Sequence, residues 1–121
     1  MAAVAATLAA WSPEGDLWLA SVLDCLRSNR DHLAQWVAGP AVGLGVRGYP
    51  PEGTYLMWLD FRRARLASFE DPAAKLAAES GVLLGSGPEF GPGGAGFARL
   101  NFATSPGVLG QILERLEAAL A

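Results

Sequence analysis

The sequence has one cysteine, one lysine and one histidine in 121 residues. A single cysteine, Cys25, excludes an internal disulfide and fits a reducing, cytoplasmic compartment. Cys25 lies in a helical pattern with no activating neighbour to be read around it, so it reads as inert. A lone histidine, His32, excludes the usual zinc ligand sets, since no cysteine or second histidine is near. The lone lysine, Lys75, falls in the exposed middle of a short helical pattern and reads as a surface charge. Positive charge is scarce too. Nine basic residues against twelve acidic ones give a net charge of −3, and their one cluster, Arg62, Arg63 and Arg65, is too small for a nucleic-acid footprint. No apolar run reaches the ~20 residues of a membrane span. The start, MAAVAATLAAW, lacks the basic flank of a signal peptide. A soluble protein without nucleic-acid or membrane partners is the expectation.

What is plentiful is apolar. Hydrophobic residues make up 51% of the chain, enough for one domain with one modest core. Ser12-Pro13-Glu14 is a helix start, with Ser12 as cap and Pro13 in the first turn. Leu19, Val22, Leu23, Leu26, Leu33 and Val37 then recur at helical spacing until Gly39-Pro40 stops the run. Leu44, Val46 and Gly48 alternate as a weak strand, Pro50-Pro51 breaks it, and TYLMWLDF (54–61) is the strongest strand signal. Asp71-Pro72 opens a helix that runs to Ser80, with Gly81 closing it. Val82 to Leu84 reads as a short strand, GSGPEFGPGGAG (85–96) as a loop, and FARLNFA (97–103) as another strand. Ser105-Pro106 opens a last helix with Val108, Leu109, Ile112, Leu113, Leu116 and Leu120 in one stripe. The order predicts an α+β fold: a small, mostly antiparallel sheet with helices packed on one face.

Two features invite chemistry. The glycine-rich loop suggests an anion cradle, but a dinucleotide fingerprint needs a strand before it and a helix after it, and here a strand follows. A connecting turn is the plainer reading. The second is Arg99. In GFARLNFAT (96–104), Phe97, Arg99 and Asn101 fall on one side of the strand, and Ala98, Leu100 and Phe102 on the other. A guanidinium offers a planar fork that matches a carboxylate in two parallel hydrogen bonds. An ion pair with Asp60 on the neighbouring strand is the plainer reading. The four tryptophans, Trp11, Trp18, Trp36 and Trp58, read mainly as apolar contact area.

PEGTYLMWLDFR (51–62), GVLLGSGPEFG (81–91) and GFARLNFATSPGVLGQILERL (96–116) together resemble the C-terminal region of fold-type I pyridoxal-phosphate (PLP) enzymes. Within them the chain is most similar to the cystathionine β-lyase, or C–S lyase, branch of the class I/II aminotransferases. DLWLASVLDCLRSNRDHL (16–33) resembles the helix that joins the family's large domain to its small one. The resemblance implies the small-domain fold over residues 16–121, with 1–15 a remnant of the large-domain side or an interdomain segment. It implies that Arg99 binds the α-carboxylate of an amino-acid substrate, and that Asn101 supports it. The family's cofactor lysine, phosphate-binding residues, pyridine-nitrogen aspartate and stacking aromatic have no match here. The expectation is therefore a C-terminal fragment of a PLP-dependent lyase or aminotransferase, inactive alone and binding no PLP itself. Its expected partners are the substrate, the missing large domain and a second copy in a homodimer. The alternative is a free-standing, non-enzymatic carboxylate-binding or interaction domain.

Overall fold

Proline and a capping side chain set the start of each long helix in the computed structural model, which describes all 121 residues. After a first helix α1 (Ala2–Ala10), α2 (Pro13–Ala38) begins at Ser12, whose hydroxyl accepts from the Gly15 amide at 3.1 Å. Glu14 and Asp16 sit in its first turn, where the helix dipole favours negative charge. Pro40 stops α2 and at once opens a single turn, α3 (Pro40–Gly43). Asp71 caps α4 (Pro72–Ser80) through the amides of Ala73 and Ala74, and Gly81 ends it with φ of 70°. Ser105 caps α5 (Pro106–Leu120).

Four strands, β1 (Arg47–Gly48), β2 (Leu56–Asp60), β3 (Gly85–Ser86) and β4 (Phe97–Asn101), pair antiparallel in the order β1-β2-β4-β3. This is the expected α+β fold. Alternation along β2 and β4 sends Met57, Leu59, Ala98 and Leu100 inward, all at most 1% exposed. They share one buried cluster with Leu33 and Val37 of α2, Leu76 of α4, and Leu109, Leu113 and Leu116 of α5. The outward residues of β2 and β4 are only half-buried or exposed, so the sheet is covered on one face.

The structure departs from the sequence reading in three places. Residues 82–84 are not a strand: Leu83 is 86% exposed, and the residues that pair with β4 are Gly85 and Ser86. The alternation from Leu44 gives only two strand residues, because the Val46 amide turns back to the Ala41 carbonyl at 3.0 Å. The stretch 85–96 is not simply a loop. It begins with β3 and continues as a 3₁₀ turn, Gly87–Phe90. The apolar stripe of α2 is fully buried only from Asn29 onward: Leu26 packs against the core part-buried, and Leu19 and Leu23 stay exposed. The reason is length. Twenty-six helical residues span ~39 Å at ~1.5 Å each, whereas a five-residue strand covers only ~17 Å.

The exit from β4 is held by Asn29, which is 1% exposed. Its amide nitrogen donates to the carbonyls of Phe102 (2.9 Å) and Thr104 (2.7 Å), tying α2 to the turn that precedes α5. The tryptophans divide. Trp36 is buried and donates to Glu117, Trp58 lies on the outer sheet face, and Trp11 and Trp18 are 85% and 68% exposed.

Candidate functional site

Strand register puts Arg99 on the open face of the sheet, with Trp58 of β2 beside it on one flank and Gly85 of β3 on the other. Gly85 leaves the arginine room: a Cβ there would lie 3.3 Å from the Arg99 Cβ and 3.4 Å from its Nε. The guanidinium carbon lies 4.4 Å from the centroid of the Phe90 ring. Phe90 meets Trp58 edge-on at 5.6 Å, and Trp58 stacks on Phe97 at 5.5 Å. At the far end, Arg62 lies 4.5 Å over Phe97. The open face therefore carries an aromatic row with an arginine at each end.

The two arginines differ in what else they touch. Arg62 takes Asp60 with a fork, Nε to Oδ1 and Nη2 to Oδ2, both at 2.9 Å. Its backbone amide donates to Oδ1 as well, at 2.9 Å. Asp60 is thereby unavailable to Arg99, which disposes of the plainer reading. The chain's ion pairs are Arg27–Asp24, Arg30–Asp31, Arg62–Asp60, Arg65–Glu79 and Lys75–Glu79, and Arg99 is in none of them. Its side chain also makes no hydrogen bond, so the in-plane N–H groups are free to bind. The main hollows of the surface lie elsewhere. One of them, about 390 Å³, is lined by residues that include Val46, Arg47, Tyr49 and Arg63.

Asn101 shares the outer face of β4 and is exposed. Its Oδ1 accepts from the Ala103 amide at 2.8 Å, turning the chain out of the strand. At the same end of β2, Thr54 has φ of 69°, a left-handed conformation costly for a branched residue. The neighbouring Tyr55 carbonyl accepts from the Phe102 amide at 2.9 Å.

Asp60 also makes a testable electrostatic link. The Arg62 hydrogen bond holds its carboxyl below the ordinary value of 3.8, against an opposing push from partial burial. Its stabilising contribution is complete above pH ~3.8 and is lost as pH falls through the lower folded value. Asp60→Asn is expected to flatten the acid limb of the stability curve below pH ~4. An acid limb identical to that of the unmodified chain would contradict this.

The chain's own residues do not fit a PLP site. Lys75 is bound to Glu79 at 2.9 Å, and its ammonium lies 5.5 Å over the Phe69 ring. Arg65 pairs with the same Glu79, whose carboxyl is held below its ordinary value by Lys75 first and Arg65 second. An ion-paired, part-exposed lysine is the opposite of the desolvated amine that carbonyl chemistry needs. No group of three or more histidine, cysteine or acidic residues is placed to hold a metal. No helix is long and apolar enough to cross a membrane.

No family model matches the sequence. A cystathionine β-lyase of Corynebacterium glutamicum is 39% identical over 107 residues, covering 88% of this chain and 27% of the relative. The cystathionine β-lyase PatB of Bacillus subtilis (strain 168) is 33% identical over 119 residues, covering 98% of this chain and 30% of the relative. The solved PLP-bound C–S lyase of Staphylococcus hominis matches at TM-score 0.79 and 25% identity, over 89% of this chain and 28% of that one. The chain matches the C-terminal small domain of fold-type I PLP enzymes. It spans less than a third of the length of the cystathionine β-lyases it resembles. The missing fit for PLP agrees with that share, since the small domain accounts for only part of such an enzyme.

Two residues of the Arg99 surroundings escape a sequence reading. Phe90 and Gly85 fall inside a glycine-rich stretch that carries no periodicity. Asp71 is legible as a helix cap, but its second oxygen accepts from Ser86 at 2.9 Å and fixes β3 to the start of α4. A bond between residues fifteen apart leaves no local pattern.

Proposed function

We propose that this chain is the small-domain portion of a PLP-dependent C–S lyase of the cystathionine β-lyase kind, and that Arg99 binds the substrate's α-carboxylate. The observation that carries the reading is the state of the Arg99 guanidinium: one face lies on an aromatic ring, no acid pairs with it, and its donors are open. An arginine in that state is matched to a planar anion by two parallel hydrogen bonds. Residues 16–121 form this portion, and 1–15 belong to the side of the large domain. Asn101 stiffens the strand exit beside the carboxylate site. The lyase assignment over the aminotransferase one follows the relatives' names.

In this reading the cofactor and its lysine belong to a large domain outside these 121 residues. When bound there, PLP supplies the electron sink that labilises the amino acid, and this chain holds the carboxylate end. A face is ready for that neighbour. Leu17 and Trp18 of α2, 74% and 68% exposed, continue into the exposed Trp11, a patch of the kind that other protein surfaces cover. The assembled enzyme is a homodimer in the cytoplasm.

Assay of the 121-residue chain with PLP and L-cystathionine is expected to show no thiol release. Joined to a lysine-bearing large domain, the same residues are expected to support it. Thiol release by the chain alone would overturn this division of labour. Clear calorimetric binding of whole amino acids by the chain alone, much tighter than that of a bare carboxylate such as acetate and lost in Arg99→Ala with stability unchanged, would favour the free-standing carboxylate binder instead.

A further inference from the structure

The glycine-rich stretch is the one sequence feature that the proposed function leaves unused. It lacks the strand-to-helix context of a phosphate loop, since it ends in strand β4 rather than in an α-helix. What it does structurally is cross over itself. A Cβ on Gly87 would lie 2.2 Å from the Gly94 carbonyl oxygen and 2.3 Å from that of Phe97. A Cβ on Gly94 would lie 1.9 Å from the Gly87 oxygen. Only glycine permits backbones to approach so closely. The crossing is buried and bonded: Gly94 donates to Gly91 at 2.9 Å, Phe97 to Gly94 at 3.1 Å, and Gly96 to the Glu70 carbonyl at 2.8 Å. The 3₁₀ turn is thus clamped to the start of β4. Phe90, its last residue, is laid against Arg99 two strand residues further on.

We infer that Phe90 is a positioning residue for Arg99, and that the glycine crossing exists to hold it there. The inference rests on the reading of Arg99 as the carboxylate fork. The chemistry favours this division of surfaces. A guanidinium is attracted to an aromatic ring through its face, while its hydrogen bonds to a carboxylate lie in its plane. Holding the guanidinium carbon 4.4 Å over the Phe90 ring therefore restricts where the fork can lie without using any of its donors. Trp58, edge-on to Phe90 and stacked on Phe97, stops the ring from swinging away. Gly85, bare beside the arginine, leaves the side chain room to lie flat along the sheet. An arginine otherwise carries much rotamer freedom, and ordering it before binding removes that cost from the binding step.

The test compares the chain with Phe90→Leu and Phe90→Tyr. Phe90 is 50% exposed, so neither change disturbs the core, and circular dichroism checks that both variants fold. The readout is the Arg99 Nε–H resonance in nitrogen–proton NMR. In the unmodified chain it is expected upfield of the arginines that face no ring, with low mobility; Arg62, over Phe97, is the other ring-facing arginine and serves as an internal control that Phe90 changes leave in place. Phe90→Tyr keeps both properties and Phe90→Leu loses both. Sodium acetate, with sodium chloride as the ionic-strength control, is then titrated as a carboxylate probe. Phe90→Leu is expected to weaken the acetate response about 3–10-fold. An Arg99 resonance unchanged in Phe90→Leu, or acetate binding equal in both proteins, overturns the positioning role and leaves the carboxylate reading standing. A ring-dependent resonance that acetate does not move supports the positioning and counts against the carboxylate reading.

Discussion

Arg99→Ala is expected to lower kcat/KM for an amino-acid substrate about 100- to 1,000-fold in an enzyme that joins this chain to its large domain. A hydrogen bond to a charged group contributes about 1.5–3 kcal/mol, and the fork makes two that share one geometry. A loss of about 3–4 kcal/mol corresponds to the stated range, at about 1.36 kcal/mol per tenfold. Arg99→Lys keeps the charge and loses the fork, so it falls between the two. Stability separates binding from folding here. Arg99 lies on the open sheet face and pairs with no acid, so thermal unfolding should shift by no more than a surface substitution does. A large loss of stability would mean that the side chain holds the fold together instead.

The largest stability effect is expected one turn of the chain beyond, at Phe102. Its side chain is 1% exposed, its amide donates to Tyr55 and its carbonyl accepts from Asn29. Phe102→Ala removes a large buried ring and leaves a cavity, at a cost of about 3–5 kcal/mol. For a chain of this size that lowers Tm by roughly 10–25 °C. The cost is a large part of the ~5–15 kcal/mol that holds a domain together. Denaturant melts followed by circular dichroism measure it directly. A shift below 1 kcal/mol would show that the junction between β4, α2 and α5 is not a core element. Asn29→Leu is a companion to this change. It removes the side-chain amide that the Phe102 and Thr104 carbonyls share, leaving them the Thr104 amide and the weak Cys25 thiol donor, so it too is expected to destabilise despite its apolar gain.

The sequence is most legible where side chains act locally. Ser12, Asp71 and Ser105, each followed by proline, mark three helix starts within a residue of where they fall. TYLMWLDF and FARLNFA declare strands because each buries alternate residues. Legibility fails where the backbone decides. Gly85 and Ser86 have little strand propensity and form β3 only because β4 offers them partners, while the more apolar Val82 to Leu84 do not pair. The stripe on α2 is legible as apolar, but which part of it is buried is not: Leu33 and Val37 lie in the core while Leu19 and Leu23 stay exposed, which depends on where the short sheet ends beneath the long helix. The site shows the same split. Arg99 is visible from its place on a strand, whereas Phe90 is not, because a close glycine crossing brings it there.

The account as a whole depends on the α-carboxylate being read by Arg99, and substrate truncation tests that most directly. kcat/KM is measured in the joined enzyme for an L-amino-acid substrate and for the amine that lacks its carboxylate, with and without Arg99→Ala. The prediction is a preference for the carboxylate of about 100-fold or more that largely disappears in the variant. A preference that survives the loss of the arginine undiminished would contradict it.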